Sequence, residues 1–311
     1  MIRFLLVAKD WGGGLARYLS FALNQREDIR PNWIKTYPST WSEKLIYRTQ
    51  RCDWRDKLLN TINHTQRDIA LFINLPNNPQ QLEYQHGNVL WLTDAPSDEA
   101  PQYSAFSRIF VSDPGYAGEV KGMVGSAKFA GVLPFACEPS VHSPKLSQPN
   151  TDVCFIGNRD LKRDAYLEQL LNSDCSCHIY GNYFAQHPLF WKHPGAFRPG
   201  VANSALAQTY ARYRISLNIH ARVVRAGTNM RTFESAACDI AQLVEYRPGI
   251  EDLFIPDEEI CLFQTPEEFS FGLAKLLADE ELRKTIRRRA RDRVLAEHTY
   301  SHRLKTVLAE L

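Results

Sequence analysis

One stretch of the sequence, GTNMRTFESAACDIA, combines a turn, a helix start and two charged side chains. Asn229 is a residue type that often caps helices, and Arg231 falls in the first turn behind it. The N–H groups of a helix start and a guanidinium can bind a phosphate together. One turn further on, Glu234 can accept two hydroxyl groups of a ribose, or it can compensate the helix dipole or Arg231. The stretch therefore predicts an anion site, with candidate residues Gly227, Thr228, Asn229, Arg231 and Glu234.

The run RISLNIH directly before this stretch predicts a strand that ends on polar residues. Ligands of open α/β sheets gather where strands end, so Asn218 and His220 are further candidates. For His220 the alternative is a core histidine whose hydrogen bonds are satisfied within the protein.

A second strand–loop–helix pattern, FIGNRDLKRDAYLEQLL, ends its strand at Gly157 and places Arg159 and Arg163 at the helix entry. Positive charge at a helix N-terminus opposes the macrodipole, and a bound phosphate would reconcile the two. The alternative is that Arg163 reaches an acid on its own surface, such as Asp160 or Glu168.

The first half of the chain offers a glycine turn and one acid. In KDWGGGLARYL, Gly13 and Gly14 allow an anion to approach a helix start, although a plain tight turn is the alternative. Arg17 stands where a dinucleotide-binding fingerprint needs its third glycine, which disfavours a nicotinamide enzyme. Asp94 lies at the end of the predicted strand in WLTDAP, where it could act as a base or bind an acceptor hydroxyl. The alternative is that it is a turn residue before Pro96.

Composition limits the class of protein. A chain of 311 residues with 44% hydrophobic and 23% charged residues suits two soluble globular domains. The net charge of +2 gives no reason to expect nucleic acid as a partner. No apolar stretch is long enough to span a bilayer, and the opening MIRFLLVAKDWGGG predicts a strand, not a secretion signal. Seven scattered cysteines are typical of reduced thiols, so we expect a cytoplasmic protein.

Two further patterns concern membranes and metals. The basic run RKTIRRRARDRVL predicts the solvent-facing side of an amphipathic helix, with at most peripheral contact to an anionic membrane. The sequence contains no Asp-x-Asp triplet, the pair with which many sugar transferases hold a divalent metal. We therefore expect neither a metal site nor a cofactor.

Short apolar runs alternate with helical patterns along the chain, which predicts parallel sheets covered by helices. The proline- and serine-rich segment CEPSVHSPKLSQPNTD reads as an interdomain linker. The pattern predicts an α/β protein with a first domain over 1–145, a second over 146–295 and a C-terminal helix over 296–311.

The sequence resembles the GT-B glycosyltransferases of the group 1 type, and is similar to the branch that includes spore maturation protein CgeB. In the first half the resemblance rests on WLTDAP, RIFVSDPGY and VLPFACEPSVHSP. In the second half it rests on DVCFIGNRDLKR, IYGNYF, YARYRISLNIH, NMRTFESAAC and AEHTYSHRL. It implies two Rossmann-like domains, of which the second binds a nucleotide-sugar donor and the first binds the acceptor. The last helix would cross back to the first domain.

The resemblance also implies roles for individual residues. Near the diphosphate it places Gly157, Arg159 and Arg163, and near the base Tyr180 and Gly181. Around the phosphates and the sugar it places Asn218, His220, Asn229 and Arg231, and it gives Glu234 to the ribose. Many group 1 enzymes carry another glutamate eight positions earlier, where this chain has Ala226.

The resulting expectation is a metal-independent glycosyltransferase of the hexosyl type that moves a sugar from a nucleotide diphosphate sugar to a hydroxyl acceptor. Asp94 and His220 are the candidate catalytic residues, with Asp94 as the base, and retention of configuration is the family's expectation. The acceptor would be a glycan, a lipid-linked glycan, a protein or a small molecule. The alternatives are a nucleotide-sugar epimerase or hydrolase on the same fold, and a non-catalytic nucleotide-sugar-binding protein.

Overall fold

The computed structural model describes residues 1–10, 14–38, 41–49, 51–181 and 187–311. The chain divides into two compact units, Met1–Pro134 with Tyr300–Leu311, and Phe135–Thr299. Within the described residues each unit is built on one six-stranded sheet. The predicted α/β class, with two Rossmann-like units in tandem, is confirmed.

The first unit contains the strands β1 (Ile2–Ala8), β2 (Ile29–Lys35), β3 (Ile69–Ile73), β4 (Asn88–Leu92), β5 (Arg108–Val111) and β6 (Phe129–Val132). They are parallel and lie in the order β2-β1-β3-β4-β5-β6. Its helices are α1 (Leu15–Asn24), α2 (Trp41–Thr49), α3 (Arg51–His64) and α4 (Ala117–Val124). Every residue of β4 is buried, as expected for a central strand that is covered on both faces.

The second unit contains the strands β7 (Thr151–Ile156), β8 (Cys177–Tyr180), β9 (Phe197–Arg198), β10 (Tyr213–Asn218), β11 (Ala241–Glu245) and β12 (Cys261–Phe263). They are also parallel, in the order β12-β11-β10-β7-β8-β9. Its helices are α5 (Leu161–Leu171), α6 (Pro188–Lys192), α7 (Leu206–Tyr210), α8 (Met230–Ala237), α9 (Pro266–Ala278) and α10 (Glu280–Glu297). One side of the core joins β7 and β10 to α5 and α9 through Phe155, Leu167, Leu217 and Leu273.

The last helix, α11 (Tyr300–Ala309), belongs to the first unit. The ring of Tyr300 stacks on Tyr18 of α1 with 5.6 Å between ring centroids. Arg303 Nε donates to the carbonyl oxygen of Pro134 at 2.7 Å. The predicted return of the C-terminal helix to the first domain is confirmed.

The proline- and serine-rich segment begins as an ordered part of the second unit. The N–H of Cys137 donates to the carbonyl of His298 at 2.9 Å, and both Glu138 and His142 are buried. The division between the units falls earlier, after Pro134. Composition alone could not show this, because glutamate and histidine in such a segment suggest exposure, whereas here they pack inward.

Candidate functional site

Three neighbouring strands of the second sheet end on or beside polar residues. β11 ends on Glu245 and β10 on Asn218, and β7 is followed by Gly157 and the polar residue Asn158. Parallel strands end at a common edge of their sheet, so these residues and the helix starts that follow lie together. We call these strand ends, with the starts of α5 and α8, the carboxyl-edge site.

The turn before α8 is built by the residues that the sequence singled out. Gly227 has φ +65°, in the left-handed region that glycine adopts without strain. Asn229 is the N-cap, because its Oδ1 accepts from the N–H of Arg231 at 3.0 Å, as predicted. The hydroxyl of Thr228 lies 2.6 Å from that of Thr232 inside the first turn. The start of α8 is therefore fixed at the carboxyl edge.

Side-chain hydrogen bonds then determine the tautomer of His220. Asn229 Nδ2 donates to Asn218 Oδ1 at 2.9 Å and lies 3.1 Å from His220 Nδ1. Because Asn229 Oδ1 already caps the helix, Nδ2 is the atom that donates to His220, and His220 Nδ1 accepts. The proton of the neutral ring is therefore on Nε2.

His220 is completely buried and uncharged. Burial, and next the positive charge of Arg163, lower its pKa to about 3. Its Nε2 is buried and has no hydrogen-bond partner in the described part of the chain. A buried donor without an acceptor costs free energy, so this ring differs from a core histidine whose bonds are satisfied. The position suits a ligand that supplies the acceptor.

Arg163 connects two loops of the site instead of reaching the acids on its own surface. Its Nε donates to the carbonyl of Ile219 at 2.8 Å and its Nη1 to that of Asn158 at 2.5 Å. The guanidinium also lies 5.4 Å from the ring centroid of Phe155. A Cβ atom at Gly157 would lie 2.9 Å from Phe155 Cζ, so any other residue would displace the Phe155 ring. Arg163 thus holds the ends of β7 and β10 in register.

The start of α5 is stabilised by an acid among its basic residues. Asp160 Oδ1 accepts from the N–H of Lys162 at 3.0 Å, and its Oδ2 accepts from the N–H of Arg222 at 3.1 Å. A carboxylate at this position offsets the unfavourable cations at the helix start. Arg159 is more exposed, with Nη2 3.6 Å from Asp164 Oδ2.

Arg231 and Glu234 contact each other. The sequence left two roles open for Glu234, a contact with a ribose or compensation of a charge such as that of Arg231, and this contact corresponds to the second. Arg231 Nη1 lies 2.7 Å from Glu234 Oε2, and the Glu234 side chain has 0% of its surface exposed. On the other side, His142 Nε2 lies 3.6 Å from Glu234 Oε1. Sequence analysis missed His142, since the only local signal was a histidine in a segment interpreted as a linker.

Glu245 is a second residue that sequence analysis missed. It pairs with Lys162 of α5 and lies 3.2 Å from Arg247 Nη1, while its Oε2 accepts from the N–H of His220 at 2.9 Å. Burial raises its pKa to about 7, against the lowering effect of the His220 N–H and of Arg163. An acid directly after the apolar run AQLV was the available signal.

Tyr180 and Gly181 follow β8, next to β7 in the sheet. The hydroxyl of Tyr180 lies 2.7 Å from that of Tyr213, the first residue of β10. The carbonyl of Tyr180 accepts from the N–H of Gly157 at 3.0 Å, at the end of β7. Gly181 has φ +153° and its N–H donates to the carbonyl of Arg198 at 3.3 Å. The backbone of Tyr180 and Gly181 therefore lies at the carboxyl edge, and the Tyr180 hydroxyl contacts that of Tyr213.

Asp94 follows β4 of the first unit and is held by Asn74. Asn74 Nδ2 donates to Asp94 Oδ2 at 2.9 Å, and Asn74 Oδ1 accepts from the N–H of Asp94 at 3.2 Å. The residue reaches the surface, yet the protein packed around its carboxyl raises its pKa, opposed by nearby Lys9. An acid with a raised pKa is suited to general base catalysis.

The glycine turn of the first unit is only partly described. Gly13 lies outside the described residues. Gly14 is the extended residue before α1, without a side chain to cap the helix. Arg17 lies 2.8 Å from Asp10 Oδ1, whose other oxygen lies 2.9 Å from Lys35 Nζ. Arg17, which replaces the fingerprint glycine, therefore has a structural partner.

The basic run forms α10, with a buried apolar side as predicted. Ile286, Ala290 and Val294 are buried, while Arg289 lies 2.6 Å from Glu258 and Arg293 lies 3.1 Å from Glu259. No helix in the described ranges has the length and apolar character needed to cross a membrane. Over the same ranges, no group of three or more His, Cys, Asp or Glu side chains is placed to hold a metal ion.

A family model described as "Glycosyl transferase-like" matches residues 162–309. The match includes α5 from its second residue onwards, the whole of β10, α8 and β11, but not Gly157. No curated protein sequence matches the chain.

Solved structures with little sequence identity share the fold over the whole chain. Sucrose-phosphate synthase from Thermosynechococcus elongatus is 12% identical with a TM-score of 0.69, covering 99% of this chain and 97% of its own. Anabaena HepE in complex with UDP and glucose is 12% identical with a TM-score of 0.69, covering 100% of both chains. T4 phage BGT in complex with its UDP-glucose substrate is 12% identical with a TM-score of 0.64, covering 99% and 98%. The two units therefore have the GT-B fold that the resemblance implied.

Proposed function

We propose that this protein is a glycosyltransferase that moves a sugar from a nucleotide diphosphate sugar to a hydroxyl acceptor. One observation carries the proposal. The neutral, fully buried His220 has an Nε2–H without a hydrogen-bond partner in the described residues, beside the capped start of α8. A neutral donor and a helix start together suit the oxygens of a diphosphate. The match to the glycosyl transferase-like family model supports the same reaction. So does the fold shared with HepE and T4 phage BGT, whose solved structures contain UDP or UDP-glucose.

The protein would lower the barrier by stabilising negative charge on the departing diphosphate. The N–H groups at the start of α8 and the Nε2–H of His220 would donate to its oxygens, and Arg231 would add positive charge. Arg163 would act indirectly, because it fixes the backbone at Asn158 and Ile219. Such groups are held in place before the substrate arrives, so little reorganisation is needed when charge develops.

The finer features of the reaction belong to the same proposal. Asp94 is the group that we assign to proton removal from the acceptor hydroxyl, since its pKa is raised. Hexosyl transfer, retention of configuration and a place in the CgeB-like branch follow from the resemblance. Ala226 departs from the family's pattern, because many group 1 enzymes have a glutamate at that position. We propose a metal-free reaction because the sequence has no Asp-x-Asp triplet. The scattered cysteines support a cytoplasmic location.

A ligand screen tests the proposal. Unfolding temperatures would be measured with UDP, ADP, GDP and UDP-glucose, each with and without EDTA, and with NAD as the control. A ligand at a hundred times its dissociation constant stabilises by about 2.7 kcal/mol. We expect stabilisation by at least one nucleoside diphosphate, unchanged by EDTA, and none by NAD.

Turnover of the stabilising nucleotide sugar separates the rival functions. Sugar transfer to an acceptor panel supports the proposal. Rapid release of free sugar or of an epimer without acceptor would instead indicate a hydrolase or epimerase. Binding without any turnover would indicate a binding protein, and stabilisation by no nucleotide would contradict all three.

A further inference from the structure

The side chain of Asn74 spends its full hydrogen-bonding capacity on two residues that follow β4. Its Oδ1 accepts from the N–H of Thr93 at 2.7 Å and from the N–H of Asp94 at 3.2 Å. Its Nδ2 donates to Thr93 Oγ1 at 2.8 Å and to Asp94 Oδ2 at 2.9 Å. An asparagine amide has two donor hydrogens and an oxygen that accepts twice. Because the two backbone N–H groups require an acceptor, the amide is fixed in one orientation.

The backbone of Asn74 has an unusual conformation. Its φ is +62°, in the left-handed region that few residues other than glycine adopt. Its N–H nevertheless continues the sheet by donating to the carbonyl of Trp91 at 3.0 Å, and Trp91 is completely buried. Such conformations persist where the surroundings hold them, and they cluster at functional sites. The residue in this conformation is the one that binds Asp94.

The two carboxylate oxygens of Asp94 are in different situations. Oδ2 is bound to Asn74, whereas Oδ1 has no hydrogen-bond partner among the residues that the structure describes. The N–H of Asp94 is bound to the same amide, which restricts rotation of the side chain. Asp94 also reaches the surface. Oδ1 is therefore held in one direction before any acceptor arrives, which is the arrangement that a general base needs.

The charge of Asp94 depends on three influences. The protein packed around the carboxyl raises its pKa, and Lys9 lowers it. A hydrogen bond donated to the charged form of an acid also favours that form, so the Nδ2 of Asn74 acts in the same direction as Lys9. Asn74 thus offsets part of the effect of burial and keeps Asp94 in the ionised form that accepts a proton.

We propose that Asn74 is the positioning residue of the proton-transfer step, and that Asp94 Oδ1 takes the proton of the acceptor hydroxyl. The hydroxyl oxygen forms a bond to the anomeric carbon of the donor sugar as its proton passes to Oδ1. The bond from that carbon to the diphosphate breaks, and its electron pair leaves on the diphosphate oxygen. Asn74 acts through Asp94 and does not contact the reacting atoms. This inference rests on the proposed function and assigns one residue and one atom to it.

A purely structural role for Asn74 makes a different prediction. If the side chain only joins the ends of β3 and β4, its important atom is Oδ1, which binds two backbone N–H groups. Asn74→Asp keeps an acceptor there, and aspartate also tolerates a left-handed backbone. The variant loses the Nδ2 donor and places a negative charge beside Asp94 Oδ2. It should resemble wild type in a structural role and differ from it in a positioning role.

Turnover as a function of pH separates the two roles. Release of nucleoside diphosphate from UDP-glucose, ADP-glucose and GDP-mannose would be measured with the acceptor panel. We expect kcat of Asn74→Asp to fall about tenfold to a hundredfold, with an unchanged KM for the donor. The acidic limb of the profile should move to higher pH, because a neighbouring carboxylate raises the pKa of Asp94. A wild-type kcat and pH profile would overturn the proposal.

A titration without substrate gives an independent readout. Aspartate labelled with ¹³C at the side-chain carboxyl would be incorporated, and the Asp94 signal identified by its loss in Asp94→Asn. The pKa of Asp94 should be higher in Asn74→Asp than in wild type. An unchanged pKa would show that residue 74 does not face the carboxyl, which contradicts the proposal.

Two glycine variants provide a matched comparison should Asn74→Asp fold poorly. Asn78 also has a left-handed backbone, with φ +53°, but its side chain makes no cap hydrogen bond. Glycine adopts this conformation without strain, so both Asn74→Gly and Asn78→Gly should fold. We expect a lower kcat in Asn74→Gly alone, and equal kcat values in the two variants would contradict the proposal. If wild type turns over none of the three nucleotide sugars, the proposed function itself fails.

Discussion

The side-chain amides of Asn218 and Asn229 exchange two hydrogen bonds, of 3.0 and 2.9 Å, between the end of β10 and the start of α8. This pair fixes the orientation of both amides, and through Asn229 it also fixes the proton of His220 on Nε2. A helix cap and a ligand-facing donor therefore depend on one residue.

Replacing Asn229 tests this dependence. Asn229→Ala removes the cap of α8 and should cost about 1 kcal/mol of stability. It should also weaken UDP binding, because His220 loses the partner that sets its tautomer. The control is Thr265→Ala, which removes the cap of α9 and should cost a similar amount without changing UDP affinity. Denaturant unfolding measures the stability of each variant, and calorimetry measures its affinity for UDP. Equal UDP affinities in the two variants would contradict the link between the helix cap and the tautomer of His220.

His220 should make stability depend on pH in a definite direction. Its pKa is about 3 in the folded protein and about 6.5 when unfolded. Between these values the unfolded chain binds the additional proton, so the free energy of unfolding decreases as the pH falls. From pH 7 to pH 5 this amounts to about 2 kcal/mol. Between pH 7 and pH 5, the free energy of unfolding of His220→Gln should therefore decrease by about 2 kcal/mol less than that of wild type, as measured by denaturant unfolding. An identical pH dependence in the two proteins would show that the ring is charged or exposed.

The contact between Lys162 and Glu245 should matter more than an exposed ion pair. Lys162→Met leaves a buried carboxylate with one cation fewer, and we expect a loss of roughly 2 kcal/mol. Adding Glu245→Gln to that variant should recover most of the loss. Lys192→Met, in a pair whose side chains are 63% and 47% exposed, should cost close to nothing. Failure of the double variant to recover stability would contradict the pairing.

Asp94 should affect turnover and not donor binding. Asp94→Asn can keep its hydrogen bonds with Asn74 but cannot accept a proton, so kcat should fall at least about a hundredfold. Because burial raises the pKa of Asp94, wild-type activity should decline on acidification above the ordinary aspartate pKa. Asp98→Asn, an exposed neighbour, is the control. A normal kcat for Asp94→Asn would remove Asp94 from the reaction.

Local features of the fold were readable from the sequence. The helix start expected in KDWGGGLARYL is the start of α1, whose residues Leu15, Tyr18, Leu19 and Leu23 are buried. Asn229 was recognised as a cap because capping depends on residues within one turn.

Contacts between distant segments were not readable. Arg163 donates to the carbonyl of Ile219, 56 positions away, and His142 meets Glu234 across a still longer separation. Neither pair leaves a periodic pattern, since each depends on how β7, β10 and the turn at Glu138 come together. Sequence patterns identified the charged residues but could not tell which charges neutralise one another.

A crystal structure of the protein with UDP would test the central claim most directly. We predict the diphosphate at the carboxyl edge of the second sheet, with an oxygen within hydrogen-bond distance of His220 Nε2 and others at the N–H groups that begin α8. A diphosphate bound elsewhere, such as on the basic face of α10, with His220 Nε2 still lacking an acceptor, would contradict it.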